Sequence, residues 1–263
     1  MEENGFTLEE QRLNETKAPA GRGEPDAEVA PGRKKLEAHL QRGNAARARW
    51  YIRAFKFVVR GIFRLFFRVR VIGLKNVPRT PAIICANHLG WADTFLVLLF
   101  FPVEPRVYVL GEQEVKYISG FRTKVIDWLE IMVMLDRSKP VQAVRTMQDM
   151  LKRGGSLLIF PEGRLGTEEG ELGELQDGAA LLSQRSGAPL VPVGLTGTKE
   201  LWLRRTLTMR IGRPILPAQF EGDTHTRVRD MTARLDREMR ALLPGDRERP
   251  RIKLLNKWLT KLF

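Results

Sequence analysis

The sequence predicts a single α/β domain with a largely parallel sheet flanked by helices, plus an amphipathic helix towards each end of the chain. Short apolar runs rich in β-branched residues alternate with segments of helical periodicity, and this alternation is typical of βαβ units. The 263 residues, 43% of them hydrophobic, suffice for one substantial core. Predicted strands cover 82–86, 106–110, 131–135, 157–160, 190–195 and 207–211, and predicted helices cover 93–101, 113–128, 140–152, 178–186 and 223–243.

The predicted elements have recognisable end signals. The strand at 82–86 is apolar and partly β-branched, and prolines at 78 and 81 precede it. The helix at 140–152 has Pro140 in its first turn, and a glycine pair follows its end. Ligands of α/β proteins collect at the carboxyl ends of parallel strands. Residues that follow predicted strand ends are therefore the candidates for a functional site.

Charge is distributed unevenly along the chain. The formal net charge is +13, yet residues 1–31 hold eight acidic and only three basic residues. Residues 1–32 are also rich in Gly, Pro and Ala, which predicts a disordered acidic tail. The basic remainder favours contact with an anionic membrane, a phosphorylated substrate or a nucleic acid.

Residues 33–71 are predicted to hold a basic amphipathic helix at a membrane interface. From 47 to 71, basic residues recur every three or four positions and bulky apolar residues occupy most other positions. A helix with a basic stripe, a wide apolar face and no acidic residue is typical of one that lies in the headgroup region of a bilayer. A packed helix whose arginines form its solvent face is the alternative. The basic residues are Arg49, Arg53, Lys56, Arg60, Arg64 and Arg68.

Residues 246–263 repeat this pattern on a smaller scale. Ile252, Leu255, Leu259 and Leu262 share one helical face, and lysines at 253, 257 and 261 lie opposite. The pattern predicts a second basic amphipathic helix, which either adds to membrane attachment or binds a partner protein. The α/β domain itself is then predicted to cover residues 72–245.

A histidine and a carboxylate follow the predicted strand at 82–86. His88 comes directly after Asn87, and Asp93 stands near the start of the next predicted helix. In this arrangement the imidazole can remove a proton from a substrate hydroxyl while the carboxylate fixes its tautomer. On spacing alone, a histidine near an aspartate is more often a purely structural pair.

Four sequence blocks occur in order between about residues 70 and 215. Besides the segment from Asn87 to Asp93, they are Leu135-Asp136-Arg137, Phe160-Pro161-Glu162-Gly163-Arg164 and Val191-Pro192-Val193-Gly194-Leu195-Thr196-Gly197. In residue type and order they resemble the blocks of the glycerolipid acyltransferase family, which is typified by bacterial lysophosphatidate acyltransferases. Arg137 and Glu162 also follow predicted strand ends, so one pocket can hold them together with His88.

The resemblance implies an O-acyltransferase of phospholipid biosynthesis, with His88 and Asp93 as the catalytic pair. It implies transfer of a fatty acyl group from acyl-CoA or acyl carrier protein to a lysophospholipid, above all 1-acylglycerol 3-phosphate, with no cofactor beyond the acyl donor. Another lysolipid, glycerol 3-phosphate and an amino-acid-derived lipid are alternative acceptors. The implied substrate-binding residues are Arg137, Glu162, Gly163 and Arg164, of which the arginines suit a phosphate, and the supporting residues are Asn87 and Pro161.

Two positions depart from the family pattern. Ile131 stands where the middle block usually opens with glycine. Arg164 follows Gly163 directly, where the family commonly has a threonine between glycine and arginine. Both positions lie in regions that the resemblance assigns to the acceptor, so they bear on which acceptor is used rather than on the reaction class.

Other function classes lack their sequence signatures. The three histidines and the single cysteine, Cys85, have no metal-ligand spacing, and no nucleophile elbow or nucleotide-binding loop occurs. Net charge alone supports a non-catalytic module that binds membrane or nucleic acid, and nucleic acid is not an expected partner. No apolar run approaches the ~20 residues of a membrane span, and no signal peptide is recognised. The sequence predicts a peripheral enzyme at the cytoplasmic face of a membrane, of undetermined oligomeric state.

Overall fold

The computed structural model describes residues 50–112, 132–135, 140–243 and 253–261. These residues belong to one compact unit, Gly32–Phe263. The predicted acidic tail at 1–32, the predicted helix at 113–128 and Arg137 lie outside the described residues.

A mostly parallel sheet of seven strands forms the centre of the unit. The strands are β1 (Arg68–Ile72), β2 (Ile83–Ala86), β3 (Val107–Glu112), β4 (Met132–Leu135), β5 (Ser156–Ile159), β6 (Leu190–Thr196) and β7 (Thr206–Ile211). Their order is β1-β7-β6-β2-β5-β3-β4, and of the neighbouring pairs only β6 and β7 are antiparallel. The predicted α/β class with a largely parallel sheet is therefore confirmed.

Helices cover both faces of the sheet. They are α1 (Trp50–Phe66), α2 (Trp91–Phe100), α3 (Pro140–Lys152), α4 (Gly178–Ser186), α5 (Thr224–Ala241) and α6 (Asn256–Thr260). Helices α3, α4 and α5 share one apolar core with Ile83 of β2, whereas α1, α2 and α6 share the other core with Ile84. Because successive strand residues point to opposite faces, a strand covered on both sides must be apolar throughout. This explains why β2 is a continuous apolar run.

Strand β1 replaces the predicted end of the basic helix. Helix was predicted as far as residue 71, but α1 ends at Phe66 and Arg68–Ile72 pairs in parallel with β7. Here arginine and valine alternate, and a period of two suits a strand. Val69 and Val71 pack against the core, while Arg68 and Arg70 are exposed. The helical prediction was therefore wrong for residues 68–71.

The C-terminal amphipathic helix is shorter than predicted. Within residues 253–261, α6 begins only at Asn256, because Leu255 adopts a left-handed conformation (φ 59°) that precedes the helix. Leu259 is buried against the domain, and its carbonyl oxygen accepts a hydrogen bond from the indole N–H of Trp91 (3.0 Å). Leu255 and Trp258 are exposed instead. The predicted common face of Leu255 and Leu259 was therefore wrong.

The basic side of α1 faces the end of α2. Lys56 Nζ donates hydrogen bonds to the carbonyl oxygens of the two residues that follow α2, at 2.7 and 3.4 Å. The guanidinium groups of Arg60 and Arg64 lie over the ring of Phe100. Carbonyl groups at a helix C-terminus and the face of an aromatic ring both attract cations. These basic residues therefore help to pack α1 onto the domain.

An apolar strip of α1 is left exposed. It consists of Trp50, Ala54, Phe57, Val58, Gly61, Ile62 and Leu65, which recur at helical spacing on one side. Phe57 is 79% exposed and Leu65 is 70% exposed. The solvent face of α1 is thus largely apolar, contrary to the alternative in which arginines form it. In the part of the chain that the structure describes, no helix combines the length and the apolar character needed to cross a bilayer.

Candidate active site

The loop between β2 and α2 brings His88 and Asp93 together. His88 Nδ1 lies 3.0 Å from Asp93 Oδ2. Because an ionised carboxylate can only accept a hydrogen bond, Nδ1 carries the hydrogen and Nε2 keeps a free lone pair. The His88 side chain is 25% exposed, whereas that of Asp93 is fully buried. A substrate can therefore reach the imidazole, and the arrangement is that of a general base with an orienting carboxylate.

The backbone of the same loop fixes Asp93. Its Oδ2 atom also accepts hydrogen bonds from the N–H groups of Leu89 and Gly90, the latter at 2.8 Å. Asp93 lies in the first turn of α2, where the helix dipole stabilises a negative charge. The carboxylate thereby joins the loop, the start of α2 and the imidazole in one unit.

Glu162 holds the backbone of His88. Its Oε1 accepts a hydrogen bond from the N–H of His88 (3.0 Å), and its Oε2 accepts one from the N–H of Gly173 (2.8 Å). The carbonyl oxygen of His88 in turn accepts the N–H of Gly166 (2.6 Å). The loop after β5 thus binds both backbone groups of His88, and Glu162 is only 4% exposed. These contacts make Glu162 a positioning residue, while its role in binding an acceptor stays a prediction.

The ring of Phe160 stacks on the imidazole of His88. The two ring centroids are 3.9 Å apart and the planes differ by 14°. The stack restricts the imidazole plane and covers one of its faces. Phe160 belongs to the third sequence block, but sequence reasoning assigned it no role. Phe160 comes directly after β5 and two residues before Glu162, and this position could have indicated that it lies near His88.

The supporting residues shape the loops around His88. The side-chain amide of Asn87 donates to the carbonyl oxygen of Leu195 (3.0 Å) and accepts the N–H of the same residue (2.7 Å), which ties the loop to β6. The carbonyl oxygen of Pro161 accepts the N–H of Gln176 (2.8 Å). Gly163 has a φ of +66°, and a Cβ atom there would lie 2.5 Å from the side-chain nitrogen of Gln176. The turn therefore requires glycine at 163.

Two basic residues, Arg164 and Lys199, lie on the loops that follow β5 and β6. Arg164 is exposed and makes no hydrogen bond or ion pair with another described residue. Lys199, which sequence reasoning missed, donates from Nζ to the carbonyl oxygen of Gly166 (2.7 Å). The backbone N–H groups of Gly197 and Lys199 donate to the carboxylate of Glu169, at 2.6 and 3.1 Å. No sequence motif marks Lys199 or Glu169, because their contacts join distant segments.

Comparison with known proteins identifies the family of this site. The family model described as Acyltransferase matches residues 68–196, which contain His88, Asp93 and Glu162. This part of the chain is an acyltransferase-family domain. Together with the relatives named below, this match confirms the resemblance of its sequence blocks to glycerolipid acyltransferases.

Named relatives of the acyltransferase domain come from bacteria, a yeast, a green alga and plants. The 1-acyl-sn-glycerol-3-phosphate acyltransferase of Pseudomonas aeruginosa is 32% identical over 165 residues, which are 59% of this chain and 62% of that protein. The chloroplastic 1-acyl-sn-glycerol-3-phosphate acyltransferase BAT2 of Brassica napus is 31% identical over 147 residues, which are 52% of this chain and 39% of that protein. This chain thus spans less than two thirds of the length of either relative.

A solved structure shares the fold of the acyltransferase domain. It is the 1-acyl-sn-glycerophosphate (LPA) acyltransferase PlsC from Thermotoga maritima. The TM-score is 0.59 at 22% sequence identity, and the match covers 84% of this chain and 86% of that chain. The similarity supports the α/β architecture described above.

The single cysteine is a core residue of the acyltransferase domain. Cys85 is buried in β2, and burial raises the pKa of its thiol well above the ordinary value. A thiol that stays protonated is a poor nucleophile. Within the described ranges, no three His, Cys, Asp or Glu side chains come together as a group that could hold a metal ion.

Proposed function

We propose that this chain transfers a fatty acyl group from an acyl thioester to the hydroxyl of a lysophospholipid, and that the acceptor is 1-acylglycerol 3-phosphate. The observation that carries this proposal is the His88–Asp93 pair, with a 3.0 Å contact and a partly exposed imidazole. The printed names of the relatives support the choice of acceptor. The donor is acyl-CoA or acyl carrier protein, and no further cofactor takes part.

The proposed reaction proceeds without a nucleophile from the protein. His88 Nε2 removes the proton from the acceptor hydroxyl, whose oxygen attacks the thioester carbonyl carbon. The C–S bond then breaks, and the imidazolium returns the proton to the thiolate. Asp93 stabilises the imidazolium, and a general base of this kind contributes about 10²- to 10⁴-fold in rate. The N–H groups of His88, Leu89 and Gly90 already donate to carboxylates, so other donors stabilise the oxyanion.

The acceptor phosphate is assigned to Arg137 and Arg164. A guanidinium group binds phosphate oxygens in bidentate fashion. Arg164 suits this role because it is exposed and makes no ion pair with another described residue. In the sequence Arg137 follows β4 and Arg164 follows β5. Both strands run in the same direction as β2, so their carboxyl ends lie at the same edge of the sheet as His88, which is where ligands of α/β proteins collect.

A competition between acceptors tests the proposed function. We expect the purified chain, given acyl-CoA and equal amounts of 1-acylglycerol 3-phosphate, glycerol 3-phosphate and lysophosphatidylcholine, to form mainly phosphatidate. The products are identified by mass spectrometry, and Arg164→Ala is expected to shift the preference away from the two acceptors that carry a phosphate monoester and towards lysophosphatidylcholine, whose phosphate is a diester. A single product from lysophosphatidylcholine would overturn the assignment of the arginines to a phosphate monoester. No product from any acceptor, together with tight binding to DNA, would favour the non-catalytic module.

We expect Glu162→Gln to lower kcat about tenfold and to leave the acceptor KM nearly unchanged. The two carboxylate oxygens of Glu162 accept hydrogen bonds from the N–H groups of His88 and Gly173, one each. A glutamine side chain has only one acceptor oxygen. One buried N–H then loses its partner, which costs about 1–3 kcal/mol and loosens the loop. The measurement is steady-state kinetics. The matched control is Glu174→Gln, an exposed change in the same loop. A selective rise in acceptor KM would instead show that Glu162 binds the acceptor.

Membrane attachment is assigned to the apolar strip of α1. The strip is exposed and borders the basic residues of the same helix. A bilayer surface offers both an apolar layer for such a strip and anionic headgroups for flanking cations. We place the chain at the cytoplasmic face of a membrane as a peripheral protein. This position gives the active site access to a lipid acceptor.

The double variant Phe57→Ser, Leu65→Ser is expected to weaken vesicle binding on the order of a hundredfold. Each change removes a side chain whose burial contributes about 1.5–3 kcal/mol. Flotation with phosphatidylcholine vesicles in a density gradient measures the effect. The control is Val141→Ser, Leu216→Ser, which alters two exposed apolar residues outside α1. If the strip instead packs against a second copy, the variant converts a dimer to a monomer in light scattering and leaves vesicle binding unchanged.

A further inference from the structure

Three basic side chains of α1 form a row beside the end of α2. Lys56, Arg60 and Arg64 are spaced four residues apart, so they lie one above another over about 12 Å of helix. The guanidinium carbons of Arg60 and Arg64 lie 4.8 and 5.2 Å from the centroid of the same Phe100 ring. At about 100° per residue, Arg64 lies within about 20° of Phe57 of the apolar strip around the helix, two turns further along it.

The row carries positive charge that its surroundings do not neutralise. None of its three side chains pairs with a carboxylate in the part of the chain that the structure describes. By contrast, Arg53 forms an ion pair with Glu104 less than one turn before the row. Lys56 donates only to neutral carbonyl groups, and the buried Nε of Arg60 makes no hydrogen bond to another described residue. Like charges four residues apart on a helix repel each other, so an anion would stabilise the row.

The pKa values of two residues in the row are lowered by burial and, in part, by the positive charge of their neighbours. Burial and the charge of Arg60 lower the pKa of Lys56 from 10.5 to about 8. Burial and the charge of Arg64 lower the pKa of Arg60 below its ordinary value. A negatively charged group beside the row would offset both effects.

We propose that Lys56, Arg60 and Arg64 bind the phosphate of an anionic membrane lipid while the apolar strip of α1 enters the bilayer. Two guanidinium groups can share the oxygens of one phosphate, and headgroup phosphates lie at the depth of the polar flank of an interfacial helix. The proposal rests on the membrane attachment proposed above and adds lipid selectivity to it. Phe100 lies seven residues along α2 from Asp93, about 10 Å away, so this phosphate is distinct from that of the acceptor.

Vesicles that carry equal surface charge on different chemical groups test this proposal. The full chain is floated with phosphatidylcholine vesicles doped with phosphatidic acid, or with cholesteryl hemisuccinate at matched zeta potential. We expect the wild type to bind the phosphatidic acid vesicles about tenfold more tightly, the equivalent of one charge-assisted hydrogen bond. Arg60→Gln, Arg64→Gln is expected to weaken binding to both kinds of vesicle roughly 30-fold through the lost charge, and in addition to lose the preference of about tenfold for phosphatidic acid. The control is Arg229→Gln, Arg237→Gln, which removes two exposed charges from α5 on the other side of the sheet.

A second variant keeps the test decisive if the glutamine pair fails to fold. Arg60→Lys, Arg64→Lys retains both charges but lacks the guanidinium groups that donate two parallel hydrogen bonds to a phosphate. We expect this variant to lose the preference for phosphatidic acid. Equal binding of the wild type to both doped vesicles, or equal losses in row and control variants, overturns the lipid site and leaves membrane attachment standing. Loss of the preference when inorganic phosphate is added at constant ionic strength would support the assignment of the row to phosphate oxygens. Failure of the wild type to bind any vesicle overturns both proposals.

Discussion

Replacement of His88 by alanine is expected to reduce acyl transfer by about a thousandfold while the domain remains folded. The change removes the base, whose contribution is about 10²- to 10⁴-fold. It leaves the backbone of residue 88 bonded to Glu162 and Gly166. The lost contacts are one stack on Phe160 and one hydrogen bond to Asp93. Because that bond and stack are only partly buried, the free energy of unfolding should fall modestly.

The control for this variant is His225→Ala. His225 is exposed on α5 and far from β2 in the sequence, so its removal should leave kcat and KM at the wild-type values. Circular dichroism and the midpoint of thermal unfolding establish that both variants are folded. Retention of more than a few per cent of the wild-type rate in folded His88→Ala would remove His88 as the base.

Asp93→Asn is expected to be nearly as severe, with kcat lowered roughly a thousandfold. The amide oxygen of asparagine can replace Oδ2 as acceptor for Leu89, Gly90 and His88, so the loop keeps its shape. The variant loses the negative charge that stabilises the imidazolium. It also places an NH₂ group at the position of Oδ1, which is buried and makes no hydrogen bond to another described residue. We expect a buried amide without a partner to lower the free energy of unfolding by about 1–3 kcal/mol.

Steady-state kinetics measure the catalytic effect of Asp93→Asn, and the midpoint of thermal unfolding measures its effect on stability. The loss of charge lowers kcat and leaves the acceptor KM nearly unchanged, because the carboxylate does not face the acceptor. Asp230→Asn, an exposed change on α5, is the matched control. A wild-type kcat with a raised KM would show that Asp93 serves binding and that the imidazole works without it.

The contact between His88 and Asp93 could be predicted because its geometry depends on local sequence. Strand β2 is an uninterrupted apolar run, and α2 begins three residues after His88, at Trp91. These two elements fix where His88 and Asp93 lie. The helices at 140–152 and 178–186 were also predicted with the bounds they have, because proline and glycine mark their ends. Local signals of this kind need no knowledge of distant contacts.

The orientation of α1 could not be predicted from the same kind of pattern. Periodicity shows which side chains share a face, but both an apolar and a basic face can pack against a protein. Here the cations of Lys56 and Arg60 meet carbonyl groups and the ring of Phe100, residues that lie about 40 positions later in the chain. The apolar strip with Phe57 is exposed as a result. Only the tertiary contacts decide between these two orientations.

The hydrogen-bond partners of Glu162 could not be predicted from the sequence either. Its place after β5 predicts a carboxylate near the site, but not that the N–H groups of His88 and Gly173 bind its two oxygens. Both contacts form across loops, and one spans 74 positions in sequence. Sequence blocks therefore placed Glu162 near His88, as the structure does, without distinguishing substrate binding from positioning.

The most direct test of the central claim is the release of free CoA from acyl-CoA, followed with a thiol reagent. The claim is that His88 activates the hydroxyl of the acceptor and that the protein forms no covalent acyl intermediate. Wild-type protein is therefore expected to release CoA only when 1-acylglycerol 3-phosphate is present, and His88→Ala is expected to release almost none. Rapid CoA release without an acceptor, or equal release by wild type and His88→Ala, would contradict the claim.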